Sequence, residues 1–286
     1  MRVHDYDTSE TYAATVVSTE RLTPESSPEE VRELVLDVDR EELPFSIGQS
    51  VAVLAPEDPA LGAGPHVRLY SVADLPATGE RGHPRIAICV RRCSYVDEYN
   101  GEEYRGVASN YLCDRQPGDA ITVAGPYGLA FRVPREHDAN LILIGMGTGI
   151  APFRALVKHV YRDVGDWTGR IRLFHGARSG LELLYRNQER DDFALYYDEE
   201  TFEAIDALSP RPHWGDPIGW DDALEARSAE LWALLLQPRT YVYVAGLESI
   251  GERLDQVLAR IAGSDEEWQR RKAELIAGER WLELLY

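Results

Sequence analysis

The stretch Leu141-Ile142-Leu143-Ile144-Gly145-Met146-Gly147-Thr148-Gly149-Ile150-Ala151-Pro152 constrains this chain more than any other. A continuous run of large apolar residues suits a strand buried on both faces, the usual condition in a parallel sheet. The glycines that follow let the backbone turn and approach a ligand closely. Pro152 suits a first helical turn, where its missing N–H costs nothing. A strand, a glycine loop and a helix in that order aim free N–H groups and a partial positive charge at the loop, which suits a pyrophosphate. The spacing is G-x-G-x-G rather than G-x-G-x-x-G, so this is not the ordinary fingerprint of an NAD dehydrogenase. Gly147, Thr148 and Gly149 are the expected contacts for a dinucleotide.

The pattern downstream agrees. Apolar runs at 171–174 and 241–244, and a third at 202–208, read as strands. Helical spacing is expected over 152–161, 181–190, 229–236 and 250–261. Strands alternating with helices give a parallel sheet. Upstream, short β-branched or alternating segments at 11–19, 31–38, 50–54, 67–72, 85–92 and 120–123 are separated by Gly/Pro turns. That pattern predicts an antiparallel barrel or sandwich. The polar stretch 133–139 is the natural connector. A chain of 286 residues is long enough for two domains. They are expected at 1–135, an N-terminal antiparallel β-barrel, and at 136–286, an α/β domain with a parallel sheet.

Composition narrows the partners. The formal net charge is −19, which argues against nucleic acid and against anionic membranes. Lys158 and Lys272 are the only lysines. No apolar run reaches the roughly 18 residues of a membrane span. The first residues lack the apolar core of a signal peptide, so a cytoplasmic location is expected. Cys89, Cys93 and Cys113 are an odd set with a poor metal-ligand spacing. Buried free thiols, and no metal site, are the expectation.

A set of ordered motifs carries a resemblance. Arg68-Leu69-Tyr70-Ser71 is followed by Gly106-Val107-Ala108-Ser109-Asn110-Tyr111-Leu112, then Gly125-Pro126-Tyr127-Gly128, the Gly147 loop, Val244-Ala245-Gly246-Leu247 and a terminal Tyr286. In order and spacing, over nearly the whole length, the chain resembles the plant-type ferredoxin–NADP⁺ reductase family. The resemblance implies an FAD-binding barrel, an NAD(P)-binding α/β domain and a flavin in the cleft between them. It implies that Arg68 pairs with the FAD pyrophosphate and Tyr70 stacks on the isoalloxazine. Ser71 would hydrogen-bond flavin N5, and Gly106, Val107 and Ser109 would complete the phosphate site. Tyr95 would stack on the FAD adenine, and Tyr286 would cover the other flavin face until nicotinamide displaces it. Arg178, Ser209, Arg211, Gly246 and Leu247 would serve the nicotinamide dinucleotide. Ser71 and Tyr286 are the residues implied to be catalytic.

Three departures from the family pattern matter. The family usually has a cysteine where this chain has Ala245, so hydride transfer would be slower or differently organised. It has a glutamate two residues before its terminal tyrosine, where this chain has Leu284, with Glu283 one place earlier. Alternate residues of a strand share a face, so Glu283 could take that place only in a bulged strand; a solvated or salt-bridged Glu283 is the other expectation. Finally, the Ser-Arg pair for the NADP 2′-phosphate survives only as Ser209-Pro210-Arg211. Trp220 or Gly219 stands near the position of the tyrosine that stacks on adenine, with Asp221 and Asp222 close by. NADPH and NADH both remain open, NADPH slightly ahead.

The implied activity is an FAD-dependent oxidoreductase that exchanges a hydride with NAD(P)H and single electrons with a ferredoxin- or flavodoxin-type carrier. A dedicated NAD(P)H reductase subunit of a multi-component oxygenase or electron-transfer complex is an alternative. A non-catalytic flavin-binding subunit is another. An acidic carrier meets a repulsive average charge here, unless Arg68, Arg91, Arg92, Arg105 and Arg115 form a local basic patch.

Overall fold

The computed structural model describes residues 6–40, 45–57, 65–79, 82–96, 101–128 and 131–286. The chain divides into two compact units, 1–132 with 154–158, and 133–153 with 159–286.

The first unit is built on antiparallel strands: β1 (Thr11–Arg21), β2 (Val31–Val38), β3 (Ser50–Ala55), β4 (His66–Ser71), β5 (Ala77–Thr78), β6 (Pro84–Arg91) and β9 (Ala120–Tyr127). Their order across the sheet is β4-β3-β9-β1-β2-β6-β5. Just past β4, Val72 bridges to Ile88 of β6, and the Ala73 N–H donates to the Ala87 carbonyl. Those contacts join β4 to β6 and close six strands into a barrel, with β5 paired to β6 outside the ring. Alternation fills it: Leu34, Leu36 and Val38 of β2, Val51 and Val53 of β3, Ile86, Ile88 and Val90 of β6, and Ile121 and Val123 of β9 form one buried cluster. A short hairpin of β7 (Ser94–Val96) and β8 (Glu103–Arg105) leads into α1 (Val107–Cys113).

The second unit carries the parallel sheet. Its strands are β10 (Asn140–Met146), β11 (Ile171–Ala177), β12 (Phe202–Leu208), β13 (Thr240–Gly246) and β14 (Trp281–Leu285), in the order β12-β11-β10-β13-β14. The chain starts at β10, moves outward through β11 and β12, and returns on the other side of β10 as β13. The sheet therefore has a topological switch point at the carboxyl end of β10, where open α/β sheets bind ligands. Gly147 and Gly149 lie there, before α2 (Ala151–His159). One face of the sheet is covered by α3 (Trp220–Glu225), α4 (Ser228–Leu235), α5 (Ser249–Ala262) and α6 (Asp265–Ala277), with Ile142, Ile144, Phe174, Val242 and Val244 beneath them. Within this described part, no helix is long and apolar enough to cross a membrane.

Some sequence expectations need correction. The helix expected at 181–190 does not form: a short 3₁₀ turn at Gly180–Glu182 is followed by an isolated bridge from Arg186 to Asp191. The cause is local. Tyr185 takes a left-handed φ of 61°, and the Asn187 side chain accepts from the N–H groups of Glu189 and Arg190, so the chain turns back. Cys89 and Cys113 are buried as expected, but Cys93 is only half-buried. Helix α6 went unanticipated although Ser264-Asp265-Glu266-Glu267 carries the signal: the Ser264 hydroxyl accepts from the Glu267 N–H.

Candidate functional site

In the first unit, β4 runs at one side of the closed sheet with Arg68 opposite Val53, Tyr70 opposite Val51 and Ser71 opposite Ser50. Alternation puts Arg68 and Tyr70 on one face and Ser71 on the other. Tyr70 packs against the barrel core. Burial pushes its phenol well above the ordinary range, with the Cys113 and Cys93 thiols adding to the effect. Tyr70 is thus a neutral ring at physiological pH, seated beside the loop and helix that carry those cysteines. Helix α1 packs on β3, β4 and β6, which brings Gly106, Val107 and Ser109 to the strand that carries Arg68, Tyr70 and Ser71.

Polar side chains hold α1 against the preceding loop. The Ser109 hydroxyl accepts from the Cys93 N–H and donates to the Gly106 carbonyl, both at 3.2 Å. The Asn110 amide donates to the carbonyls of Cys93 and Gly106, both at 2.9 Å, and accepts from Arg92. Arg92 also pairs with Glu30 and Asp114, each at 2.8 Å. Sequence reasoning gave Asn110 no role; its place one residue after Ser109 at a helix start was the available signal. Gly106 is closely packed, since a Cβ there would lie 3.0 Å from the Ser109 hydroxyl and 3.2 Å from the Cys93 carbonyl, so those neighbours would have to shift slightly. Tyr95 belongs to β7, and its side chain lies outside the described residues.

The proposed basic patch is largely neutralised. Arg91 pairs with Glu29 at 3.6 Å, Arg92 with Glu30 and Asp114, and Arg115 with Asp119 at 3.6 Å. Arg68 is exposed and donates to the Val67 carbonyl at 2.8 Å. Arg68 and Arg105 have no carboxylate partner among the described residues.

In the second unit the glycine loop has the shape of a cradle. Gly147 takes a φ of 54°, and a Cβ there would meet nothing within 4 Å, so the space above it is open. Gly149 is the opposite case: a Cβ would lie 2.3 Å from the Ala245 carbonyl oxygen, so only glycine lets α2 begin this close to β13. Gly246, at a φ of 150°, packs a missing Cβ against Met146. The loop then closes on the end of the chain. The Tyr286 N–H donates to the Gly246 carbonyl at 3.0 Å, and the Tyr286 hydroxyl lies 2.7 Å from the Thr148 hydroxyl. Thr148, Gly246 and Tyr286 thus converge at the carboxyl ends of the central strands, beside the exposed Leu247, and Tyr286 as a residue is 56% exposed.

The register of β14 answers the question posed by Glu283. Trp281 to Leu285 pair one for one with Val242 to Gly246, with no bulge. Trp281 and Leu285 pack on the helical face, and Glu283 bonds to Trp281 Nε1 and approaches Lys272 of α6 at 3.8 Å. Glu283 is engaged on the side opposite Leu284 and Tyr286.

The remaining nominated residues lie past the ends of β11 and β12. Arg178 is exposed and donates to the Pro212 carbonyl at 3.4 Å. Ser209 is buried, and its hydroxyl donates to the Asp216 carbonyl at 2.8 Å. Arg211 pairs with the Asp216 carboxylate at 2.7 Å. Trp220 is not available as an adenine platform, because it is buried in the core under the sheet, against Gly176. The exposed indole is Trp214, 80% exposed, with the Arg211 guanidinium 5.6 Å from its ring centre. Asp221 is turned to α5, where Arg253 and Arg260 each pair with it at 2.6 Å.

Comparison with known proteins bears on this arrangement. Residues 143–254 match the family described as oxidoreductase NAD-binding domain. Chloroplastic ferredoxin–NADP reductase, leaf isozyme 1, of rice (Oryza sativa subsp. indica) is 31% identical over 283 residues, which span 96% of this chain and 77% of that protein. The root-type chloroplastic enzyme of Nicotiana tabacum is 33% identical over 289 residues, 96% of this chain and 76% of its own. Ferredoxin–NADP reductase of Spirulina is 29% identical and is covered to 96%. In fold, the chain resembles ferredoxin–NADP⁺ reductase of Plasmodium falciparum, with a TM-score of 0.69 at 19% identity over 98% of both chains. A structure of that enzyme with 2′P-AMP gives a TM-score of 0.70 over 88% of this chain and 93% of its own. On identity and coverage together, the chain belongs to the ferredoxin–NADP reductase family of oxidoreductases.

Proposed function

We propose that this chain is an FAD-dependent reductase that exchanges a hydride with NAD(P)H and single electrons with a ferredoxin- or flavodoxin-type carrier. Residues 1–135 would hold the FAD and residues 136–286 the nicotinamide dinucleotide. The observation that carries the reading is the loop at the switch point, open above Gly147 and flanked by Thr148 and Tyr286. FAD, when bound, supplies the chemistry that couples a two-electron donor to a one-electron acceptor.

The chain's own residues would do the rest. Arg68 has a guanidinium fork with no carboxylate partner among the described residues, the form that suits a pyrophosphate. Tyr70, whose phenol burial makes still harder to ionise, offers an uncharged ring face. Ser71, at the end of β4, would donate or accept at flavin N5. Tyr95 is assigned to the FAD adenine, and Gly106, Val107 and Ser109 to its phosphates. Because the Ser109 hydroxyl already serves two backbone groups, its part is to hold the loop rather than to grip a phosphate by itself. The N–H groups of Gly147, Thr148 and Gly149 would meet the dinucleotide pyrophosphate. Gly246, Leu247 and Tyr286 would border its nicotinamide. Tyr286 would have to give up its bond to Thr148 if it moves.

An acidic carrier would have little steering to rely on. Three of the five arginines of the basic patch are paired, and the net charge is −19. With Arg68 given to the FAD pyrophosphate, docking would rest on Arg105 and uncharged surface, with weak salt dependence. The deciding experiment mixes FAD-loaded protein with NADPH and then NADH without oxygen, followed by oxidised ferredoxin. Bleaching of the flavin absorbance and its return on adding ferredoxin are expected. If neither nicotinamide bleaches the flavin, the enzyme reading fails. If bleaching occurs but ferredoxin and flavodoxin both fail to restore the colour, the reductase of a dedicated complex becomes the better assignment.

A further inference from the structure

We propose that Asp216 sets the nucleotide preference of this chain by occupying Arg211, so that NADH is accepted alongside NADPH. The proposal rests on the dinucleotide reading of the second unit given above.

Both groups nominated for a 2′-phosphate are committed to one residue. The Arg211 guanidinium meets the Asp216 carboxylate through Nε at 2.7 Å and a terminal nitrogen at 3.4 Å. The Ser209 hydroxyl donates to the Asp216 main-chain carbonyl at 2.8 Å. The loop between them is short and tethered elsewhere: the Ser209 N–H bonds to the Ala177 carbonyl, the Gly219 N–H to the Leu208 carbonyl, and Arg178 to the Pro212 carbonyl. Asp216 is therefore held where it meets Arg211, and its side chain is only 23% exposed.

The location is that of a ligand end-group. The loop follows the carboxyl end of β12, next to that of β11, on the same rim of the sheet as the Gly147 cradle. Trp214 presents an indole there that the core does not use, a face of the size and chemistry to stack on adenine. A 2′-phosphate arriving beside Trp214 would meet a fork already filled by a carboxylate. It must displace Asp216 or lie against a like charge, and either lowers its gain. A ribose 2′-hydroxyl meets no such obstacle, because it can donate to the Asp216 carboxylate. One side chain thus penalises the phosphate and welcomes the hydroxyl. Asp221 and Asp222, the acids that spacing alone nominated, are not the ones that touch Arg211.

The test titrates FAD-loaded protein calorimetrically with 2′P-AMP, 5′-AMP, NADP⁺ and NAD⁺. Asp216→Asn is expected to tighten 2′P-AMP and NADP⁺ by roughly tenfold, the worth of one freed charge-assisted contact, and to leave 5′-AMP and NAD⁺ no tighter. Asp216→Glu, which keeps the charge, should hold the wild-type preference. Adding Arg211→Ala to Asp216→Asn should abolish the gain. Circular dichroism checks the loop variants for folding; the carbonyl that anchors Ser209 survives each of them. Equal tightening of phosphorylated and unphosphorylated ligands, or no tightening, refutes the role of Asp216 while leaving the dinucleotide site intact. If the wild type binds neither dinucleotide, the reading of the site falls and this inference with it.

Discussion

Acid should unfold the second unit through a single buried histidine. His175 lies in β11 between Gly145 of β10 and Asp206 of β12, completely buried. Neither of its ring nitrogens has a hydrogen-bond partner among the described residues. Burial, helped by the Arg186 charge, pushes its pKa down to about 3. In the unfolded chain it would titrate near 6.5. The folded value lies below the unfolded one, so the unfolded state takes the proton first. Stability is therefore full above pH 6.5 and is lost as pH falls toward 3. Each pH unit in that window costs about 1.4 kcal/mol, so at pH 5 the loss is about 2 kcal/mol, a factor of roughly 30 in the folding equilibrium. All six tryptophans lie in the second unit, so their fluorescence during urea unfolding reads that unit alone. Measured at pH 7.5 and pH 5, His175→Leu should lose about 2 kcal/mol less than the wild type over the same interval. Leucine removes the titration and fills the site with an apolar side chain. Equal losses in the two proteins would show that His175 is not the proton acceptor, whatever else titrates.

Three further outcomes follow from the site. Gly149→Ala would push a methyl group to 2.3 Å from the Ala245 carbonyl; an unfolding free energy lowered by about 1–3 kcal/mol, read as a lower urea midpoint, is expected, because backbone on both sides must move. An undiminished midpoint would mean that α2 can slide away at no cost. Ser71→Val should keep FAD bound, judged by flavin absorbance after gel filtration, and slow flavin reduction in stopped flow by about 10²-fold or more, the range for losing one positioned hydrogen bond at a reacting atom. An unaltered rate would remove Ser71 from the mechanism. Deleting Tyr286 should tighten NADP⁺, since the ring and its bond to Thr148 no longer compete; calorimetry with no change in affinity would count against Tyr286 as an occupant of the nicotinamide site.

Part of the site was legible without coordinates. The run Leu141 to Ile144 and the glycines after it encode a buried strand and a loop through nearest-neighbour effects: apolar continuity, missing Cβ atoms and a proline at the helix start. The ends of the chain read the same way. Alternation in Trp281 to Leu285 was enough to put Leu284 and Tyr286 on one face and Glu283 on the other, and the unbroken register of β14 agrees. The helix expected at 181–190 failed because Leu183 and Leu184 are buried in a turn held by Asn187, and periodicity does not register side chains that cap backbone groups.

What tertiary structure alone decided are the pairings between residues distant in sequence. Strand order is such a pairing: spacing predicts strands alternating with helices, but the return of β13 to the far side of β10 is what makes the Gly147 loop a switch point. Closure of the barrel by Val72 and Ile88 is another. The choice between Trp214 and Trp220 is a third, since burial depends on which face of the sheet α3 covers. The same holds for charge. A count of arginines suggests a basic patch, yet three of the five are spent on Glu29, Glu30, Asp114 and Asp119. Local composition determines which elements form, because their forces act over a few residues. Which cation remains free for a ligand depends on where the fold places each carboxylate, as when Glu29 and Glu30, 62 residues away in sequence, meet Arg91 and Arg92.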